Sequence, residues 1–211
     1  LKRNFTMSRL ITAILLILAV SLNAAVPVTS PEEVIASAAK SFKNAKSVTA
    51  PYSMTMDGNT VKGEAVISGD KFRITTPGMS IWYDGRTQWT YSSSTGEVNV
   101  TEPTAEELQQ INPFAIINSF RSSYKARMIS STSSSCKIEF TPVNSRGAQI
   151  LKATITFNAS THMPVDIALT LDNGAQASIK VGTVKTGISY PASTFVYDKS
   201  KYPDAEIIDL R

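Results

Sequence analysis

The 211 residues carry 21 lysines and arginines against 17 aspartates and glutamates, with one cysteine, one histidine and 42% apolar residues. A lone cysteine excludes an intrachain disulfide, so stability rests on burial; a lone histidine excludes a multi-histidine metal site. Three of the 21 basic residues and no acidic one fall in residues 1–24, which leaves 18 positive against 17 negative in the remainder. That near balance argues against nucleic acid or an anionic membrane surface as the partner.

Lys2, Arg3 and Arg9, the apolar run Leu10 to Leu22 and the small residues of Asn23-Ala24-Ala25 read as an export signal over residues 1–24. The run is shorter than the roughly 20 residues that a bilayer-spanning helix needs, and no cysteine follows it to accept a lipid anchor. Residues 25–211 are therefore expected to form one soluble domain outside the cytoplasm, long enough for a substantial core.

The first element of that domain is helical. Ser30-Pro31-Glu32-Glu33 is a capping box with proline in the first turn, and Ile35, Ala38, Ala39 and Phe42 follow at helical spacing. From Ser47 the period becomes two. Val48, Ala50, Tyr52, Met54 and Met56 alternate with polar residues up to the turn Asp57-Gly58-Asn59; Val61, Gly63, Ala65 and Ile67 continue the pattern, then Phe72 and Ile74 after Gly69-Asp70.

In the segment Met79 to Tyr91, a three-residue loop Tyr83-Asp84-Gly85 pairs Ile81 with Thr87 and Met79 with Trp89. This register gathers Met79, Ile81, Trp89 and Tyr91 on one face and turns Trp82 the other way, partly exposed. Val98 and Val100 add a strand. Thr104-Ala105-Glu106-Glu107 is a second capping box, followed by Leu108, Ile111, Phe114, Ile117 and Phe120 at near-helical spacing, interrupted at Asn112-Pro113.

Strands resume at Lys125 to Ser130, Cys136 to Thr141, Leu151 to Phe157, Val165 to Leu171 and Ala177 to Val181, the last two joined by the turn Asp172-Asn173-Gly174. Phe195 and Tyr197 are expected to form a final short strand before a polar tail.

Catalytic chemistry finds little support. His162 stands in a loop-like stretch without a partner, Glu106 and Glu107 complement the helix dipole of a first turn, Asp84-Gly85 is a turn signal, and no glycine-rich phosphate loop is present. Cys136 shares a face with Ile138 and Phe140, as a small buried hydrophobe does. No enzyme, metal or cofactor is expected.

What remains is a sheet greasy on one face. Met54, Met56, Phe72, Ile74, Met79, Ile81, Trp89 and Tyr91 are the candidate lining of that face, and flexible thioethers beside aromatics suit an aliphatic ligand. Ordinary core burial accounts equally well for any one of them.

The run Phe72 to Pro77, the hairpin Asp84-Gly85-Arg86-Thr87-x-Trp89, Val98, and the helical insert ending Asn112-Pro113-Phe114-Ala115-Ile116-Ile117 resemble the periplasmic outer-membrane lipoprotein carrier family of the LolA type. The resemblance implies an incomplete, curved antiparallel β-barrel whose apolar concave face is covered by a helical lid, here Leu108, Ile111, Phe114, Ile117 and Phe120. It also implies a monomeric periplasmic carrier that takes lipoproteins, by their acyl chains, from an inner-membrane transporter to an outer-membrane acceptor. The alternative is a periplasmic lipid-binding or hydrophobic-signal-sensing domain on the same half-barrel. Members of the family commonly have an arginine and a proline, which tether the lid, where this chain has Ser68-Gly69-Asp70.

Overall fold

The computed structural model describes residues 30–104, 107 and 123–211, the side chains at 42 and 43 excepted. The expected export signal (1–24) and the lid residues Leu108, Ile111, Phe114, Ile117 and Phe120 lie outside the described residues.

Helix α1 (Pro31–Asn44) begins as its capping box requires. Glu33 donates its backbone N–H to the Ser30 hydroxyl, and the Ser30 N–H reaches back to the Glu33 carboxylate, both at 3.2 Å. The second capping box is also made: Thr104 donates its backbone N–H to the Glu107 carboxylate at 2.8 Å, and Glu107 returns its own to the Thr104 hydroxyl at 3.2 Å.

Among the described residues thirteen strands follow α1: β1 (Val48–Met56), β2 (Asn59–Ser68), β3 (Lys71–Thr76), β4 (Met79–Tyr83), β5 (Gln88–Ser92), β6 (Glu97–Thr101), β7 (Tyr124–Ser131), β8 (Ser135–Pro142), β9 (Ile150–Asn158), β10 (Pro164–Leu171), β11 (Gln176–Val181), β12 (Lys185–Thr186) and β13 (Glu206–Asp209). They form one open sheet in the order β13-β6-β5-β4-β3-β2-β1-β11-β10-β9-β8-β7, with β12 beside β1. The mainly β architecture and the curved, unclosed sheet agree with the half-barrel expectation. Pairing is antiparallel except for β13, which runs parallel to β6.

Two residues of β1 and β2 explain how the sheet bends. Pro51 lies in the central strand yet has no N–H to give. Its carbonyl accepts from Gly182 at 2.8 Å, and the partner strand breaks there into β11 and β12. Opposite Tyr52 sits Gly63, where an added Cβ would come within 2.4 Å of both the Thr75 carbonyl oxygen and the Tyr52 hydroxyl. Only glycine lets the backbone of β3 approach so closely while the tyrosine ring covers the gap. Register shifts in β7, β9 and β10 add further bending.

One face of the sheet, the inner face, is the main core. It unites Val48, Ala50, Tyr52 and Met54 of β1, Ala65 and Ile67 of β2, Phe72 and Ile74 of β3, and Met79, Ile81 and Tyr83 of β4 with apolar residues of β8 to β11. Val34, Ile35 and Ala38 of α1 pack into the same cluster. Phe72, Ile74, Ile81, Ile138, Ile167 and Ile179 are fully buried, each contributing about 1.5–3 kcal/mol.

Two expectations fail here. The β4–β5 loop holds four residues, Asp84 to Thr87, not three: the Asp84 carboxylate accepts the backbone N–H of Arg86 at 2.9 Å and of Thr87 at 2.8 Å, and Gly85 takes the positive φ of 102°. The final strand is β13, whereas Phe195 closes a 3-10 turn and Tyr197 follows it without regular structure.

Candidate functional site

Met54, Phe72, Ile74, Met79 and Ile81 come together as expected on the inner face, with exposures of 2%, 0%, 0%, 7% and 0%. Ile74 and Ile81 face each other across β3 and β4, the Phe72 and Tyr83 rings stack at 5.3 Å, and Met54 lies between Val61 and Ile179. Met56 is half-buried at the margin of the cluster. Because the same face carries apolar side chains from β1 to β4 and from β8 to β11, the lining is a continuous band and not an isolated spot.

Trp89 and Tyr91 do not belong to it, which corrects the expected lining. In the observed register Trp89 faces Trp82 and Tyr91 faces Ser80, while Met79, Ile81 and Tyr83 stand opposite Ser92, Thr90 and Gln88. One extra loop residue moved every side chain of β5 to the other face. The inner face therefore turns from apolar to polar between β4 and β5.

Trp89 and Tyr91 serve a second apolar layer on the outer face. Residues 187–205 cross that face before β13 joins the sheet edge, and Trp82 meets Tyr197 at 5.7 Å and Tyr202 at 5.6 Å, while Tyr91 meets Tyr202 at 4.6 Å. Trp82, expected to be partly exposed, is 6% exposed; Val66, Val98, Val100 and Phe195 are buried as well. The hydroxyls of Thr49 and Tyr190 hydrogen-bond, and the Ser47 hydroxyl donates to the Ile188 carbonyl, which fixes the start of the crossing. A cavity of about 520 Å³ remains beneath it, lined in part by Arg73, Thr75, Trp82, Tyr197 and Tyr202. Sequence reasoning missed this layer, for which the spaced aromatics Tyr190, Phe195, Tyr197 and Tyr202 in an otherwise polar tail were the available signal.

His162 is buried in the β9–β10 loop with a backbone φ of 56°, and its ring Nε2 has no hydrogen-bond partner. Burial holds its pKa below the ordinary histidine range. Tyr52 likewise buries a hydroxyl without a partner, and burial raises its pKa. Among the described residues no three of histidine, cysteine, aspartate and glutamate gather as metal ligands do, and no helix is long and apolar enough to cross a membrane.

The fold is shared with an uncharacterized conserved protein from Thermus thermophilus, at a TM-score of 0.56 and 11% identity over 86% of this chain and 99% of that one. Two further solved structures are similar at lower scores. One is the LolA superfamily protein NE2245 from Nitrosomonas europaea, with a TM-score of 0.39 and 11% identity over 81% of this chain and 99% of that one. The other is a chain of the Pseudomonas aeruginosa MucA/MucB complex, with a TM-score of 0.42 and 12% identity over 77% of this chain and 58% of that one. No curated protein sequence matches. The profile described as outer membrane lipoprotein carrier protein LolA matches residues 27–171, which spans α1 to β10. The chain belongs to the outer membrane lipoprotein carrier (LolA) family.

Proposed function

We propose that the chain is a periplasmic carrier that holds the acyl chains of lipoproteins against its inner face and moves them from an inner-membrane transporter to an outer-membrane acceptor, as a monomer and without catalysis. The observation that carries this reading is the continuous apolar band on the inner face of an unclosed sheet, with α1 laid against it. Membership of the lipoprotein carrier family supports acyl chains as the ligand class of that band.

The energetics demand such a surface. An acyl chain costs about 0.8 kcal/mol per methylene exposed to water, so three chains of roughly fifteen methylenes cost on the order of 36 kcal/mol. A carrier hides that area reversibly. Met54, Met56 and Met79 suit the task, because unbranched thioethers repack around a guest at small cost. The outer edges of β7 and β13 have no strand neighbour among the described residues, so the sheet is open at both ends there.

Native mass spectrometry of the protein isolated from a bacterial periplasm tests the proposal. Retained triacylated lipoprotein is the expected result. Retention of free phospholipid or fatty acid alone would favour a general lipid-binding role, and a protein that neither retains nor takes up any acylated species would overturn both.

A further inference from the structure

The inner face is divided, and the division has a chemical meaning. From β1 to β4 it presents Met54, Ile67, Phe72, Ile74, Met79 and Ile81. Across the β4–β5 ladder the partners on that face are Gln88, Thr90 and Ser92, and across the β5–β6 ladder they are Thr101, Asn99 and Glu97. Thr90 and Ser92 are each 8% exposed. Buried hydroxyls and amides are normally paired, yet one atom of this group is left without a partner. Gln88 donates to the Thr90 hydroxyl at only 3.4 Å, and its carbonyl oxygen Oε1 is buried with no partner. Turning the amide over would leave its nitrogen in the same state. Ser92 shares a hydrogen bond with Ser94 at 3.0 Å.

A fatty chain alone has no use for this stripe. We infer that Gln88, Thr90 and Ser92 form a polar subsite for the uncharged ester and amide groups of an acylated glyceryl-cysteine, whose chains lie on the adjoining apolar band. The side chains in the stripe from β5 are neutral, as are the ester carbonyls and the acylated amide N–H they would meet. The amide N–H fits the unpartnered Gln88 oxygen, and the hydroxyls of Thr90 and Ser92 donate to ester carbonyls. This inference rests on the carrier reading and adds the part of the ligand that distinguishes a lipoprotein from a fatty acid.

The test uses two soluble probes on the full chain without its first 24 residues: a triacylated glyceryl-cysteinyl peptide and palmitate, each titrated by displacement of a fluorescent fatty acid. Gln88→Met and Thr90→Val are expected to weaken lipopeptide binding about tenfold, the loss of one or two neutral hydrogen bonds, and to leave palmitate within twofold. Thr90→Ser, which keeps the hydroxyl, is expected to bind like the parent. Gln88→Met is also expected to melt at the same or a higher temperature, since it removes an unsatisfied buried oxygen; a purely structural glutamine would lower the melting temperature and lipid binding together. Equal loss for both probes, or no loss for the lipopeptide, would overturn the subsite while leaving the carrier reading in place. A parent protein that binds neither probe overturns both.

Discussion

Replacing Gly63 with alanine is expected to be among the most damaging single-methyl additions in the protein. The new Cβ would lie 2.4 Å from the Thr75 carbonyl oxygen, 2.4 Å from the Tyr52 hydroxyl and 2.5 Å from Tyr52 Cζ. A flexible tip could move away, but the Thr75 oxygen is backbone in the β2–β3 ladder, so the strand itself must shift. Overpacking at ordinary core sites costs about 1–3 kcal/mol, and a backbone clash belongs at the upper end of that range. For a domain of this size, about 3 kcal/mol lowers the melting temperature by roughly 6–12 °C. Urea unfolding followed by circular dichroism gives the free energy directly, with an unchanged slope as the sign that the unfolded state is the same. Tyr52 separates the two parts of the clash. Tyr52→Phe alone should stabilise by about 1 kcal/mol, because the hydroxyl it removes has no partner. In a Tyr52→Val background the alanine should still cost at least about 1 kcal/mol, since the backbone contact persists. If Gly63→Ala stays within ~0.5 kcal/mol of the parent, the close approach that bends the sheet at this point is not real.

Three more outcomes follow from the two faces and the buried histidine. Met79→Ala should weaken uptake of a fluorescent fatty acid, while Trp89→Ala, on the outer face, should leave uptake within twofold; the reverse order would restore the register first expected from the sequence. Removing residues 187–211 would uncover Val66, Trp82, Val98 and Val100, all buried at present; at about 1.5–3 kcal/mol each the loss matches the whole margin of a typical domain, so the truncated chain should aggregate on size-exclusion chromatography. Burial depresses the His162 pKa in the folded state, so the folded protein resists protonation there more than the unfolded chain does. Stability is then complete above the ordinary histidine pKa and falls as the pH drops through it toward the lower folded value. As this is the chain's one histidine, His162→Asn, which tolerates the φ of 56°, should flatten the change in melting temperature between pH 7.5 and pH 5.

The helix cap at Ser30, the strand series and the shared inner face of the apolar residues from Met54 to Ile81 were legible because each follows a local rule of periodicity or capping. The β4–β5 register was not, for a physical reason. Ile81, Trp82 and Tyr83 are consecutive and apolar, and all three are buried, so alternation gave no sign of which face was the core. The outward members, Trp82, Trp89 and Tyr91, are apolar because a distant tail covers them. With two apolar layers, gathering the greasy residues onto one face is the wrong criterion, and the Asp84 turn that sets the loop length outweighs it. Pro51 in a central strand would also have argued against that strand, until the gap between β11 and β12 is seen to spare its missing N–H.

The position of β1 at the middle of the sheet carries a consequence for biogenesis. One wing, β1 to β6, is contiguous, so it can assemble through successive hairpins without waiting for the rest of the chain. The other wing returns to it only when Val181 reaches Tyr52, a long-range closure that slows the final step. Until Tyr197 and Tyr202 settle over it, the folding protein bears an uncovered aromatic patch around Trp82, so a holding chaperone is of most value to this chain before that cover is in place.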